Sequence, residues 1–325
     1  MDVFFLILIF VLAVVLACVI VKVLISCITR RWDEMCEHNM NGKTVLVTGA
    51  NMGIGKETAR DLARRGARVV LACRSIERGN EAAHEIAKST GSLHVRVMKC
   101  DVSSMSSVRT FCTEFMATEA RLDVLVLNAG MVPPPGKHMT EEGHEQQLAT
   151  NYLGHFLMTN LLLDKLKTCA PSRIITVSSL LHHFGSIDFD NMSFEKYTPD
   201  PFWTYSKSKL CNILMIKELT RRLEGSHVTA NALHPGLVRT EINRSTPWYI
   251  RNFIEPLFLV PFAKDAVAGA QTTIYLAVSP ELKDISGKYY ADCKEAWHSR
   301  KCEDIDLAKK LWNWSELAVG LKSDA

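Results

Sequence analysis

The sequence predicts a doubly wound α/β fold, a single domain on one parallel sheet, behind an N-terminal transmembrane helix. Three observations carry this. Strand-like and helix-like patterns alternate from about residue 42 to the C-terminus, as they do in successive strand–helix–strand units. Thr44 to Gly55 runs from an apolar stretch, Val45 to Val47, through a glycine turn into a helix. An apolar run that is continuous rather than alternating marks a strand covered on both faces. Val3 to Val21 is a run of 19 residues without a charge, long enough to span a bilayer.

The first strand leads through the turn into a helix over Ile54 to Arg65, with Leu62 and Ala63 on its apolar face. Gly49 allows the tight turn, Gly53 lets backbone approach a ligand, and Gly55 lets the helix pack near the strand. The free N–H groups and dipole of such a helix start favour an anion, most simply a diphosphate. An ordinary strand–helix turn is the plainer reading of three glycines, but strand, glycines and helix together point to dinucleotide binding. Arg68 to Ala72 reads as the second strand. Ile76 to Lys88 reads as a helix with Ser75 at its N-cap and Gly91 just past its end. Leu93 to Lys99 is the third strand, followed by Asp101 and a helix capped near Ser103. Leu122 to Leu127 is the fourth, with a loop through Pro133, Pro134 and Pro135 after it. A long helix is expected from just after Thr140 to about Lys167. Arg173 to Val177, His227 to Leu233 and Gly287 to Tyr290 complete the strands, and Tyr205 to Leu223 is helical.

Composition narrows the function. A net charge of +3 over 325 residues is too small to argue for nucleic acid. A cleaved signal peptide would have a basic start and an apolar core of only about 7–15 residues. Here Asp2 opens the chain, and Arg30 and Arg31 follow the apolar run, so residues 1–30 read as an uncleaved anchor and 31–41 as a linker. Basic residues on the C-terminal flank place the domain, residues 42–325, on the cytosolic side. The ten cysteines show no paired C-x-x-C spacing, as expected of reduced core thiols. Cys36-Glu37-His38 and His182-His183 lack further ligands, so no metal is expected.

The chemistry-bearing residues fall at strand ends. Where an acid after the second strand would bind ribose hydroxyls and select NAD, the chain has Cys73 followed by Arg74. A guanidinium suits a 2′-phosphate and hence NADP, although a solvated arginine is the plain alternative. Asp101 could accept from an adenine amino group or merely cap the next helix. Asn128-Ala129-Gly130 ends the fourth strand with small residues suited to a flat cofactor, or to a turn. Ser178 and Ser179 end the fifth, where ligands gather in open α/β sheets. Asn151, a mediocre helix former inside the long helix, reads as functional or as a tolerated polar residue. Tyr205 and Lys209 stand four apart and share a helix face. An ammonium about 4 Å from the phenol, at an effective dielectric of about 20, favours the phenolate by about 4 kcal/mol and brings it toward the operating pH.

Together these residues resemble the short-chain dehydrogenase/reductase family, of Rossmann fold, over residues 42 to about 320. The carrying motifs are Thr48-Gly49-x-x-x-Gly53-x-Gly55, Asn128-Ala129-Gly130, Asn151, Ser179, Tyr205, Lys209 and His234-Pro235-Gly236. Ala72-Cys73-Arg74, Asn151 to Phe156, Val177 to His183 and Leu311-Trp312 are similar to the membrane-bound, NADP-preferring retinol dehydrogenase branch. The resemblance implies Tyr205 as acid/base, Lys209 as its modulator and ribose ligand, Ser179 as carbonyl anchor and Asn151 as holder of a relay water. It implies a cofactor site of Gly49, Asn51, Gly53, Ile54, Gly55, Arg74, Asp101, Val102, Asn128, Ala129, Gly130, Tyr205, Lys209, Pro235, Gly236 and Thr240, holding NADP(H). Many NADP-using relatives carry a basic residue just before the second glycine, where this chain has Met52, so NADP selection rests more heavily on Arg74. Residues 241–262, with Trp248, Tyr249, Phe253, Phe258 and Phe262, correspond to the substrate lid of relatives. The implied partners are a lipophilic, retinoid-like substrate and a membrane, expected to be the endoplasmic reticulum, with self-association left open. The competing readings are a steroid or fatty-aldehyde reductase of the same fold and a non-enzymatic NADP-binding membrane scaffold.

Overall fold

The computed structural model describes residues 38–323 except 135, 194–195, 197–199 and 240–262. The expected anchor, most of the linker, Thr240 and the expected lid lie outside the described residues. Among those described, no helix is long and apolar enough to cross a membrane.

Eight strands form one sheet in the order β3-β2-β1-β4-β5-β6-β7-β8. They are β1 (Thr44–Thr48), β2 (Arg68–Cys73), β3 (Val95–Lys99), β4 (Val124–Leu127), β5 (Ser172–Val177), β6 (Val228–Leu233), β7 (Tyr289–Ala291) and β8 (Lys294–Glu295). The first seven run parallel, and β8 closes the edge antiparallel to β7. Every residue of β1, β4 and β6 is buried, as strands covered on both faces require. The strand order reverses between β1 and β4, and the crevice at their carboxyl ends is where ligands bind in open sheets of this kind.

Helices cover both faces. On one, α1 (Gly53–Arg64) packs against α2 (Ile76–Thr90) and α6 (Ala266–Val278), over a core that includes Ala59, Leu62, Ile86 and Ile274. On the other, α3 (Met105–Thr118) packs on α4 (Gly154–Thr168), and α5 (Pro201–Arg222) packs on α7 (Ile305–Ala318). Phe111, Phe115, Tyr152, Phe156 and Leu210 lie in that second core. As the sequence indicates, Ser75 caps α2 and Gly91 ends it in a left-handed conformation, φ 72°.

Several boundaries move for physical reasons. The helix expected after Thr140 begins at Gln146, because residues 140–144 form a hydrogen-bonded turn and the buried Glu145 carboxylate caps Gln147 and Leu148. Its first part is a short turn, Gln146–Leu148, then a π-helical segment, Ala149–Leu153, before α4 proper. β3 starts at Val95 rather than Leu93, which is exposed. The cap of α3 is Ser104, not Ser103. α5 begins four residues before Tyr205, with Asp200 at its N-cap and Pro201 in its first turn. β7 is offset to Tyr289–Ala291. α6 went unassigned: from Gly269 onward it is buried all round, so it has no polar face for periodicity to reveal.

Candidate active site

The glycine turn is built from both sides of the switch point. Gly49 and Gly53 hold φ of +64° and +56°, values an L side chain resists. A Cβ on Gly55 would collide with Asn128 Nδ2 and lie 2.6 Å from the Gly49 carbonyl oxygen. The third glycine is therefore required by the loop after β4 as well as by the turn itself. No side chain caps the start of α1, and its first turn holds no acid, which leaves its N–H groups free for an anion.

Thr48, fully buried at the end of β1, locks that turn to β4. Its hydroxyl oxygen accepts from the Asn128 and Ala129 amides at 2.9 and 3.0 Å, while Asn128 Nδ2 donates to the Thr48 carbonyl at 2.9 Å. The same hydroxyl lies 2.9 Å from His155 Nε2, and His155 Nδ1 lies 3.3 Å from the Asn151 carbonyl oxygen. Burial, then the nearby Lys209 charge, pushes His155 down to about 3, so the ring is neutral. Its Nδ1–H donates to the carbonyl and its Nε2 accepts from Thr48. Sequence reading singled out neither Thr48's hydroxyl nor His155.

Asn151 sits in the middle of the π-helical segment. Its Oδ1 accepts from the Met131 amide at 2.8 Å, and its Nδ2 donates to the Met131 carbonyl at 3.2 Å and to Ser208 Oγ at 3.1 Å. The side chain thus braces the loop after Gly130 against α5. A Cβ on Gly130 would stand 3.4 Å from Asn151 Oδ1 and 3.5 Å from Lys209 Nζ, so the three meet.

Ser179, Tyr205 and Lys209 converge here. The Ser179 side chain faces the Tyr205 phenol and acts to lower its pKa, and the Ser179 hydroxyl oxygen also accepts from the Leu181 amide at 3.2 Å. Lys209 Nζ lies 5.4 Å from the Tyr205 ring centroid and donates to the Val177 carbonyl at 2.9 Å. Ser178 faces away, its hydroxyl donating to the Lys209 carbonyl at 2.7 Å. Burial pushes the phenol up to about 12, opposed by the Ser179 hydrogen bond, and pushes Lys209 down to about 8. This differs from the expectation of a phenol drawn down by its lysine. In the protein alone burial sets the direction, and the Tyr205 phenol is protonated at neutral pH.

The adenosine end is partly as expected. Cys73 is buried beneath the glycine turn, where burial raises its thiol to about 11 against backbone hydrogen bonds from Ala50 and Asn51. Arg74 is exposed beside it. A cavity of about 230 Å³ next to the turn is lined by Asn51, Met52, Lys56, Arg78, Glu81 and Glu85. Lys56 is paired with Glu85 at 2.5 Å. Cationic groups thus stand beside Met52, where that side chain itself supplies none. Asp101 spends Oδ1 on the Ser103 amide and hydroxyl, at 2.9 and 2.6 Å. The Val102 carbonyl packs against Gly154 so closely that a Cβ there would overlap it. Ile54 packs near Gly269. After β6, Gly236 holds φ +84° and its amide donates to His234 Nδ1 at 3.1 Å.

Apolar side chains flank the reacting groups. Leu180 and Phe184 follow Ser179, and Phe202 and Trp203 precede Tyr205; all four are exposed. Phe184 and Phe202 have ring centroids 5.7 Å apart, and Phe202 and Trp203 5.1 Å. Among the described residues no group of three or more His, Cys, Asp or Glu could hold a metal.

Comparison with known proteins agrees with this geometry. A family model described as short chain dehydrogenase matches residues 43–248. The chain is 48% identical over 298 residues to retinol dehydrogenase 14 of Homo sapiens, covering 87% of this chain and 88% of that protein. It is 46% identical over 286 residues to retinol dehydrogenase 13 of Homo sapiens, covering 87% and 86%. Among solved structures, an uncharacterized protein from Mycobacterium paratuberculosis superposes with a TM-score of 0.73 at 32% identity, over 90% of this chain and 98% of that one. A 7α-hydroxysteroid dehydrogenase complexed with NADH and 7-oxo glycochenodeoxycholic acid shares the fold at TM-score 0.64 and 21% identity, over 78% and 93%.

Proposed function

The chain belongs to the short-chain dehydrogenase family, and on that premise we propose that it is an NADP(H)-dependent oxidoreductase interconverting retinal and retinol, or similar lipophilic aldehydes and alcohols, with reduction favoured. The observation that carries the reading is the meeting of Ser179, Tyr205 and Lys209 at the carboxyl end of the sheet, beside the glycine turn. When bound, the nicotinamide cofactor supplies the hydride. The Ser179 hydroxyl holds the substrate carbonyl oxygen, and the Tyr205 phenol gives that oxygen its proton. A phenol that burial keeps protonated can donate the proton of a reduction. Lys209, anchored on the Val177 carbonyl, holds a positive charge beside the phenol as the proton leaves. Asn151 keeps the loop after β4 in register with α5.

Several features fit NADP(H) in this site. Gly53, Ile54 and Gly55, at the uncapped start of α1, would offer N–H groups to a diphosphate, while Gly49, whose amide donates to the Ala72 carbonyl, and Asn51, whose amide meets the Cys73 thiol, shape the turn around it. Asp101, Val102, Asn128, Ala129, Gly130, Pro235 and Gly236 line the crevice above the strand ends, and Thr240 would follow. The exposed Arg74 would supply the charge a 2′-phosphate needs, and Arg78 lines the cavity beside Met52, where Lys56 is paired with Glu85. The retinoid reading rests on the retinol dehydrogenases to which the chain is similar, and on the apolar surface of Leu180, Phe184, Phe202 and Trp203. Burying a long chain there would contribute at roughly 25 cal/mol per Å². An N-terminal anchor at residues 1–30, with the domain facing the cytosol from the endoplasmic reticulum, would deliver such substrates from the bilayer.

The test is a panel of kcat/KM values for retinal, nonenal, a ketosteroid and a small polar aldehyde, each with NADPH and NADH. Retinal with NADPH should lead, and nonenal should retain some activity. A ketosteroid leading by more than about tenfold, equivalent to 1.4 kcal/mol, would replace the substrate, and equal use of NADH would overturn the cofactor.

A further inference from the structure

We propose that His182 is a positioning residue for Ser179, and that through it the segment at Ser299 is part of the reactive site; the proposal rests on the role given to Ser179 above.

The hydrogen bonds around the ring define its state. Ser299 N–H, which can only donate, lies 3.1 Å from His182 Nε2, so Nε2 is the acceptor. The Ser179 carbonyl oxygen, which can only accept, lies 2.7 Å from Nδ1, so Nδ1 carries the proton. The Tyr289 hydroxyl, 3.3 Å from Nδ1, is the longer contact. One neutral tautomer satisfies both backbone groups at once, and no other does. A protonated ring would have no acceptor for Ser299, and burial pushes His182 down to about 4, which keeps the ring neutral.

The ring is fully buried and held on its faces as well as at its nitrogens. Tyr289 meets it edge-on at 5.0 Å between centroids, and His183 lies at 4.0 Å. His183 in turn stacks on Trp297, at 4.4 Å and 16°. The turn Leu180–Phe184 that follows Ser179 is tied a second time to the same segment, since Lys301 Nζ donates to the Gly185 carbonyl at 2.7 Å. Ser179 therefore has its backbone fixed from the C-terminal side, while its hydroxyl serves Tyr205. This is a larger task than capping a loop: a displacement of about 1 Å in a group that holds the reacting atoms can cost about 100-fold in rate.

Two sets of variants of the full chain test it, with retinal and NADPH as substrates. His182→Phe keeps a ring and deletes both hydrogen bonds, whereas His182→Gln retains an N–H and a carbonyl oxygen. Ser299 has φ −59°, a value proline adopts, so Ser299→Pro deletes the amide donor, and Ser299→Ala is the control that keeps it. His182→Phe and Ser299→Pro should lower kcat about 10- to 100-fold without changing the NADPH dissociation constant measured by cofactor fluorescence. His182→Gln should recover most of the loss, and Ser299→Ala, which keeps the amide and loses only the hydroxyl that caps Lys301, should lose far less kcat than Ser299→Pro. The double variant His182→Phe with Ser299→Pro should be no worse than the more severe single one, because both break one linkage. Near-normal kcat in His182→Phe would overturn the proposal, as would a loss of NADPH binding equal to the loss of turnover, or Ser299→Ala matching Ser299→Pro. Ser179→Ala separates the two readings: full turnover there would remove the role of Ser179 itself, whatever His182 does.

Discussion

Tyr205 and His155 show burial acting in opposite senses on two ionisable groups. Removing water disfavours whichever form carries charge, so it raises the phenol and lowers the imidazole. For Tyr205 the consequence is catalytic. Tyr205→Phe keeps the ring and deletes the transferable proton, and it should lower turnover by about 10²–10⁴-fold while NADPH binding, followed by fluorescence titration, is retained. For His155 the consequence is stability. In the folded protein His155 is pushed down to about 3, below the ordinary histidine value of about 6.5. The folded protein refuses a proton that the unfolded chain accepts, so stability is full above pH 6.5 and is lost progressively as the pH falls toward 3. His182, pushed down to about 4, adds to the same trend. Urea unfolding between pH 7 and pH 5 should show a falling midpoint, and His155→Gln, neutral throughout, should flatten that dependence even if it lowers stability at pH 7. A midpoint as steeply dependent on pH in the variant would refute the assignment. The sequence marked Tyr205 by its spacing from Lys209; it had no such mark for His155, whose importance comes from facing Thr48 across 107 positions of chain.

Among the elements, the helix carrying Asn151 and α7 diverge most from sequence expectation. The π-helical segment Ala149–Leu153 turns Asn151 toward Met131 and Ser208, and α4 can then cross close to the loop after β3 because Gly154 has no side chain. A methyl group at Gly154 would overlap the Val102 carbonyl, a backbone atom that cannot swing aside. Gly154→Ala should therefore destabilise by about 1–3 kcal/mol or more, lowering the melting temperature by about 2–4 °C for each kcal/mol at this chain length, despite alanine's better helix propensity. An unchanged or raised melting temperature would show that α4 can move away from the loop. α7 completes the layer under α4 and α5. The Tyr152 hydroxyl is 2.7 Å from Ser315 Oγ, Trp312 meets Phe156 edge-on at 4.8 Å, and the Arg222 guanidinium lies 4.4 Å over the Trp312 ring. Sequence reading placed Leu311-Trp312 in a C-terminal tail and did not assign this helix. These contacts span 90 to 163 positions of chain, which no local window contains.

For the whole molecule, the proposed N-terminal anchor and its orientation are open to direct test. Deleting residues 1–30 should release the domain into the soluble fraction with its NADPH affinity intact, and protease added to sealed microsomes should digest the domain of the unmodified protein. Protection until detergent is added would place the domain in the lumen and reverse the charge argument. The amino-acid sequence by itself determined the fold class and the succession of strands and helices in outline, and it marked the candidate residues of the cluster. Buried parallel strands, glycine turns and helix faces are written in local composition and short periodicities. The cluster was legible because Tyr205 and Lys209 share one helix, and because the other motifs each end a strand on the same edge of the sheet. Only the tertiary structure decided what those residues experience. It fixed the depth of burial that makes Tyr205 an acid, the carbonyl on which Lys209 rests, the cationic groups beside Met52, and the linkage from Ser179 through His182 to Ser299. These depend on distances between segments far apart in the chain and on how completely water is excluded between them. Both quantities exist only once the layers have packed.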